Sequence, residues 1–535
     1  MYTRLSVVIA YFLFVLALGL LAKSRLKDSP SQYFLAGRSL GSFILLGTMA
    51  ATNFSAFTVF GASGAGYRDG LSFFPIMAFG TGFMALTFWL VGKRIWQAGR
   101  KHDLVTPAEL VQRVYKHQGL AALFALVMVV FTVPYLALQP LAGGKVLGQL
   151  FGIPNWGGAV LVTLVIVIYT LRGGLKAVAW TDVFQGLLML ALMIAALGIV
   201  AGAHGGWSEA FAKVTESQPA LMERPGPRGV YTPAVWFSFL ALWFFCDPMF
   251  PQLFQRFYSA NSERALARSM LFYPLVCTVV FVLPVALGVL GRLTAPDLSG
   301  KAADGILPLL MTSLAGDFMG TLVLAAGLAA LMSTMDSQLL TLSSIFSRDL
   351  WPLISGRKAE NALVGRIFVL LLAGAGLATA LMANTTILAL GLTAFTGLAV
   401  LFPTVLFGLW LQNPRPAPAI ASILIGEALV IAYHLKLLPT FGFLPAVPVM
   451  AASVLVYLAM HFLTGPAGLP RLTARQFGFS LAFGLVFVLA QDYWRWEQIG
   501  GLWLGWPLWA WYFVGLSGLQ MILSALLLRS QPARK

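Results

Sequence analysis

The sequence predicts an all-α polytopic membrane protein of about fifteen spans, with a five-plus-five inverted-repeat core and extra helices at both ends. Three observations predict it. Of 535 residues, 59% are hydrophobic and only 10% charged, with a mean hydropathy of +0.84; soluble proteins carry about 25% charged residues. The apolar runs suit bilayer-crossing helices and are far too long for the alternating strands of a barrel. Two spans, the second and the seventh, are interrupted by helix-breaking residues and stand five apart. Because five is odd, a five-span repeat must run inverted in the membrane, as in secondary transporters whose broken helices form the binding site.

Apolar runs place spans near 5–22, 42–66, 72–92, 119–140, 156–171, 178–203, 231–255, 269–291, 318–343, 367–383, 386–411, 417–435, 441–463, 476–491 and 502–528. The organisation that follows is an N-terminal span and loop (1–41), a core (42–411) of two repeats (42–203 and 231–411), two peripheral spans (412–463), and a linker with a two-span extension (464–535). The net charge of +16 is a topology signal and calls for no nucleic acid. With the N-terminus outside, 25 of the 35 Lys and Arg residues, Arg256 among them, fall in cytoplasmic segments. The positive-inside rule therefore selects N-out and C-in, in a plasma (cytoplasmic) membrane.

The first span is long, lacks a small-x-small cleavage site and is followed by Lys23, Arg25 and Lys27, so it reads as a retained span and not a signal peptide. The second runs Thr48-Met-Ala-Ala-Thr-Asn-Phe-Ser and then meets Gly61, Gly64 and Gly66. Such a helix can break and free carbonyls for a cation, or its small residues can serve close packing. Asp182 lies about four residues into the sixth span, roughly 6 Å from its end at 1.5 Å per residue; it is either an ion-site carboxylate or a helix cap. The seventh span carries Asp247 before Pro248, then Pro251 and Gln252, among aromatics that include Phe244. A carboxylate and an amide between aromatic surfaces resemble a small-molecule site; a kinked core helix with a capping Asp is the plainer alternative.

The ninth span carries the densest chemistry. Ser333, Asp336, Ser337 and Ser344 recur at i, i+3, i+4 and i+11 and share one helix face, with Thr334 beside it. Hydroxyl and carboxylate oxygens are hard ligands that suit a hard cation. An ionisable group inside a span costs roughly 2.5–3.5 kcal/mol on insertion scales and by default marks an ion site or pathway. A hydroxyl-rich face that glues helices together is the alternative. Asp182 and Asp336 fall at similar depth, in the inner third. Glu427, in the twelfth span, has no evident role.

The stretches Tyr33–Gly41, Ala51–Ala56, Gly173–Gln185, Pro251–Ser262 and Ala330–Leu350 resemble the sodium:solute symporter family over roughly residues 30–460. The resemblance implies a LeuT-type core and uptake of a small organic solute, such as a monocarboxylate, amino acid or vitamin, driven by sodium through alternating access. It implies a main Na+ site formed by the carbonyls of Ala51, Phe54 and Ala330 and the hydroxyls of Ser333 and Thr334. A second Na+ site, used by some members, maps onto Asp182, Ser333, Asp336 and Ser337. Aspartate at 336, where such members carry a hydroxyl residue, is a departure that adds negative charge and opens proton coupling. Solute would be held near Asn53, Ser55, Phe244, Asp247 and Gln252.

Other classes fit less well. No Walker-type loop points to ATP drive, no nucleophile–base constellation points to an enzyme, and no organic cofactor is expected. Cys246 and Cys277 lie in apolar spans and imply no disulfide framework. A proton-coupled symporter of the same fold stays open. A transporter-like membrane sensor would carry a cytoplasmic output domain, and the sequence ends seven residues after the last span. The partners are a small solute and the lipid bilayer; a single chain suffices, with an oligomer left open. The last two spans, joined through Pro466, Pro470 and Arg471–Arg475, read as a separable accessory pair, dispensable for transport. The tryptophan-rich run Trp494–Trp511 between them reads as an interfacial belt.

Overall fold

The computed structural model describes residues 1–21, 29–171, 174–356, 362–464, 468 and 473–530. Lys23, Arg25, Lys27, Arg172, Gly173, Arg357, Lys358, Arg534 and Lys535 lie outside the described residues, as do Pro466, Pro470 and Arg471 of the linker. Among the described residues, eleven helices are long and apolar enough to cross a membrane, or thirteen if each of two bent pairs is one span. Two shorter apolar helices, Tyr2–Leu18 and Asn155–Thr170, complete the pattern. These helices fall at the fifteen predicted places and keep their span numbers below.

Both predicted interruptions are present. Span 2 is Ser42–Asn53 followed by Phe57–Asp69, bent by 60°. Span 7 is Pro233–Met249 followed by Pro251–Ser259, bent by 57°. The second break has a direct cause. Pro251 has no N–H to donate, and the residue before a proline is driven out of the α region; Phe250 is accordingly extended, at φ −59° and ψ 123°. In span 2 the helix stops where Phe54 adopts φ −85° and ψ 88°.

The packing is symmetric in the way an inverted repeat requires. Counting five on from each span, the pairing of span 2 with span 8 (Glu263–Thr294) has its counterpart in that of span 7 with span 3 (Phe73–His102). The pairing of span 4 (Gln118–Phe151) with span 11 (Ile387–Trp410) matches that of span 9 (Gly316–Ser355) with span 6 (Leu175–Ala203). The core is thus a LeuT-type fold with broken helices at its centre. The glycines after the first break let span 8 approach closely: a Cβ at Gly66 would lie 2.6 Å from the Val285 carbonyl oxygen. The close-packing reading of span 2 therefore holds for its second half.

The C-terminal hairpin, expected to be a separable accessory, packs closely on the core. Its helices, span 14 (Ala474–Leu489) and span 15 (Leu508–Arg529), dock on the core: span 15 packs on spans 3 and 8, and Gln520 Nε2 donates to the Gly82 carbonyl at 2.9 Å. The turn between them is locked from outside. Arg224, in the segment joining the two repeats, pairs with Asp492 at 2.8 Å, both side chains fully buried. Its guanidinium lies over the rings of Trp236, Trp496 and Trp509. The tryptophan run is accordingly split: Trp494 and Trp503 are exposed, whereas Trp506 and Trp509 are buried. A lone arginine in a polar loop gives no sequence sign of an aromatic socket elsewhere.

Candidate ion and solute sites

Where the first half of span 2 ends, span 9 passes as an unbroken helix. Ser333 Oγ donates to the carbonyls of Ala51 (3.1 Å) and Ala330 (3.0 Å). Thr334 Oγ1 donates to Thr52 (3.2 Å) and Ala330 (3.3 Å). The backbone turn at Phe54 takes its carbonyl out of the helical ladder. Four of the five residues expected for a main cation site, Ala51, Ala330, Ser333 and Thr334, thus meet at one buried place together with the Thr52 carbonyl, and every group offered is a neutral oxygen. Such a set fits a hard monovalent cation and none of the soft metals.

Beside the two breaks lies a cavity of about 20 Å³, walled by Phe57, Tyr135, Trp243, Phe250, Phe281 and Phe395. Its polar lining comes from Asn53, Ser55, Thr58, Thr81 and Asp247. Asp247 accepts from Asn53 Nδ2 (3.3 Å) and from the Cys246 thiol (3.3 Å). Asn53 Nδ2 also donates to the Tyr273 hydroxyl at 2.9 Å. Trp243 Nε1 and Thr81 Oγ1, both buried, have no partner among the described residues. The cavity therefore offers one carboxylate and two free donors. At this volume it holds water at most, so a solute enters only as the walls move.

A third cluster lies between spans 2, 6, 7 and 9. Arg256, at the end of span 7, reaches Asp182 Oδ2 at 3.0 Å and Ser337 Oγ at 2.7 Å. Its Nε donates to Thr48 Oγ1 at 3.2 Å, and Thr48 in turn donates to Asp182 Oδ2 at 2.6 Å. Asp336 is fully buried, and neither of its oxygens has a hydrogen-bond partner among the described residues. It lies within electrostatic reach of Asp182, Arg256 and Tyr169; the Tyr169 hydroxyl donates to the Met332 carbonyl at 3.2 Å. Arg256 forms its ion pair with Asp182, and no cationic side chain of the described residues pairs with Asp336.

Several expected residues are placed differently. Asn53, Ser55 and Asp247 line the cavity, but Phe244 does not. Adjacent residues of a helix point apart: Trp243 faces the cavity, and Phe244 faces a groove on the far side of span 7. Gln252 is fully buried outside the cavity lining, its amide without a partner among the described residues. Ser333 hydrogen-bonds the carbonyls of Ala51 and Ala330, and no hydrogen bond among the described residues joins it to Asp182 or Asp336. Arg256 is not a cytoplasmic charge but a buried partner of Asp182. The sequence reading also missed Thr81, Tyr135, Tyr273 and Gln139, whose Oε1 accepts from the Ala56 N–H at the break (3.1 Å). Single polar residues in apolar spans gave no period to find them by.

Residues 33–426 match the sodium:solute symporter family. A sodium/pantothenate symporter of Haemophilus influenzae is 29% identical over 457 residues, covering 84% of this chain and 94% of that protein. A sodium/proline symporter of Staphylococcus aureus is 29% identical over 479 residues, covering 86% of this chain and 92% of its own length. Among solved structures, a substrate-bound, outward-open Na+-coupled sialic acid symporter superposes with a TM-score of 0.72 at 20% identity, over 88% of this chain and 99% of its own. A nucleobase-cation-symport-1 family transporter in a closed conformation gives 0.53 at 13% identity, over 85% and 99%. The broken spans, the oxygen cluster between spans 2 and 9 and a match over most of the length agree: this chain belongs to the sodium:solute symporter family.

Proposed function

We propose that this sodium-coupled symporter takes up a small zwitterion, an amino acid or a close analogue, with Asp247 reading its ammonium group. The protein is a multi-pass secondary transporter and not an enzyme, and sodium is its co-transported ion. The observation that carries the solute reading is the cavity's polar inventory. Asp247 is its one carboxylate, no cationic side chain lines it, and the unpartnered N–H of Trp243 and O–H of Thr81 stand free to donate. Buried polar groups are rarely left unpaired; a carboxylate beside two free donors matches an ammonium beside a carboxylate. The aromatic walls add cation–π attraction of about 0.5–2 kcal/mol. Relatives include sodium/proline symporters, whose named solute is an amino acid. Competition uptake in proteoliposomes tests this. Amino acids should compete, and analogues lacking either the amine or the acid should not; equal competition by simple monocarboxylates would overturn the reading.

The same reading gives the ions their places. One Na+ is held by Ala51, Phe54, Ala330, Ser333 and Thr334, pinning the first half of span 2 to span 9 beside the solute cavity. A second cation, Na+ or H+, neutralises the charge left at Asp336, with Ser337 and the Asp182–Arg256 pair around it. We place the chain in the cytoplasmic membrane with the N-terminus outside and the C-terminus inside, following the charge bias. The repeats are residues 42–203 and 231–411, with 1–41, 412–463 and 464–535 outside them.

A further inference from the structure

On the other side of span 7 from the solute cavity lies a much larger recess, about 950 Å³, at the upper end of the range for built ligand sites. It is open along one side and walled by spans 3, 7 and 14, with single residues from spans 8, 11 and 15. Span 14 lies outside the residues that match the family, so one wall belongs to the extension.

The recess is polar at one end only. Along span 3 its lining runs Phe83, Leu86, Trp89 and Leu90, and then Lys93, Arg94 and Gln97. Along span 14 it runs the opposite way, from Gln476 through Phe479 and Ser480 to Phe483 and Phe487. The antiparallel walls thus put their polar ends together, on the face that the charge bias assigns to the cytoplasm. There Arg94 stacks over the Trp410 ring at 3.7 Å and donates to the Leu409 carbonyl, but no carboxylate of the described residues pairs with it. Lys93 lies over the Trp89 ring and pairs with Glu263. Tryptophan beside basic side chains is what membrane interfaces select.

A recess with an apolar interior and an unpaired guanidinium at its mouth is complementary to a molecule with an apolar tail and an anionic head. We propose that it binds an anionic phospholipid, with an acyl chain between spans 3, 7 and 14 and the phosphate on Arg94 and Lys93. Phe244 and Phe245 of span 7 line the recess, while Trp243 lines the cavity. A lipid seated there touches the helix that bears Asp247, and the extension is what turns an open flank into a site.

Gly484 supplies the test, because it lines the recess and a Cβ built on it meets nothing within 4 Å. The full chain is reconstituted in nanodiscs of phosphatidylglycerol and phosphatidylcholine, and co-purifying lipid is measured by native mass spectrometry, with quenching by brominated lipid of the fluorescence due to Trp89 and Trp410, taken as the difference from Trp89→Phe/Trp410→Phe. At about 1 kcal/mol per basic residue near the surface, unpaired Arg94 alone gives about a fivefold preference for phosphatidylglycerol. Gly484→Phe should fill the recess and abolish both retention and quenching. Arg94→Gln should keep the tail, and so the quenching, while reducing the preference toward one. Retention without headgroup preference in the wild type would overturn the proposal, as would unchanged phosphatidylglycerol retention in Gly484→Phe. Should Gly484→Phe fail to fold, an unchanged preference in Arg94→Gln would overturn it alone.

Discussion

Arg256 Nη2 lies 3.0 Å from Asp182 Oδ2, with both side chains at zero exposure. A buried pair of this kind is costly to break from one side, by about 3–5 kcal/mol, because the remaining charge is left unpaired. Arg256→Gln is therefore expected to lower thermal stability sharply and Asp182→Asn to do likewise, with the double variant recovering much of the loss. Thermal unfolding of the four proteins in one detergent measures the coupling. Additive losses would mean that the pair does not act as a unit.

The main ion site predicts that Ser333→Ala/Thr334→Ala abolishes sodium-dependent uptake. Each hydroxyl lies within hydrogen-bond distance of a carbonyl at the span 2 break, so the double change removes two of five oxygens while leaving the backbone intact. Uptake with unchanged sodium dependence in that variant would remove the assignment.

At Asp336 the expectation concerns charge. One elementary charge moved across 100 mV contributes about 2.3 kcal/mol. That is about 50-fold accumulation of a net-neutral solute per cation and about 2,000-fold for two, before any sodium gradient. Asp336→Asn should lower the sodium Hill coefficient toward one and reduce the charge moved per solute. Charge-to-solute ratios in proteoliposomes decide it; an unchanged ratio with normal expression leaves a single sodium site.

In the solute cavity, Asp247→Asn should reduce uptake of amine-bearing solutes by tenfold or more, since a hydrogen bond to a charged group is worth about 1.5–3 kcal/mol. Thr81→Val should raise KM for acid-bearing solutes about tenfold while sparing sodium-dependent thermal stabilisation. Initial-rate uptake against solute concentration separates the two. Thr81→Val kinetics indistinguishable from wild type would take Thr81 out of the site.

The C-terminal hairpin should not be dispensable. Asp492→Asn leaves Arg224 unpaired among three tryptophans and is expected to cost about 3–5 kcal/mol. Deleting residues 473–530 uncovers the flank that Gln520 and Phe513 close. A truncated chain with an unaltered unfolding midpoint and full transport would restore the reading of a separable accessory.

The frame of this fold was legible because its causes are local. Pro251 forces the residue before it out of the helix, Gly61 to Gly66 mark a close approach, and long apolar runs can do little but cross a bilayer. Ser333 stood out because it shares one helix face with Asp336, Ser337 and Ser344, whereas Thr334, beside that face, was singled out by the family resemblance. Arg256 was misread because a basic residue at the end of a span looks like every other interfacial charge. Only the 57° bend turns it inward to Asp182, and a bend angle is not written in the residues. Phe244 was misread for a related reason: aromatic residues run on both sides of span 7, and which side meets the cavity depends on helix rotation. Trp243 and Thr81 were missed because their donors matter only through having no neighbour, which is a property of the assembled site.

The docking of the hairpin has a kinematic consequence. It touches spans 3 and 8 through span 15, and span 7 through Phe237 against Phe487 and Trp236 against Phe513. With span 2, these form one of the two sets of helices that pair across the repeats, and the solute cavity lies along their boundary with spans 4 and 11. A hairpin bolted to one side of that boundary is carried as ballast when the two sides rotate against each other. A label on span 15 should keep a constant distance to span 8 throughout the cycle and sweep past span 4, so the extension reports the rotation of the half it rides on.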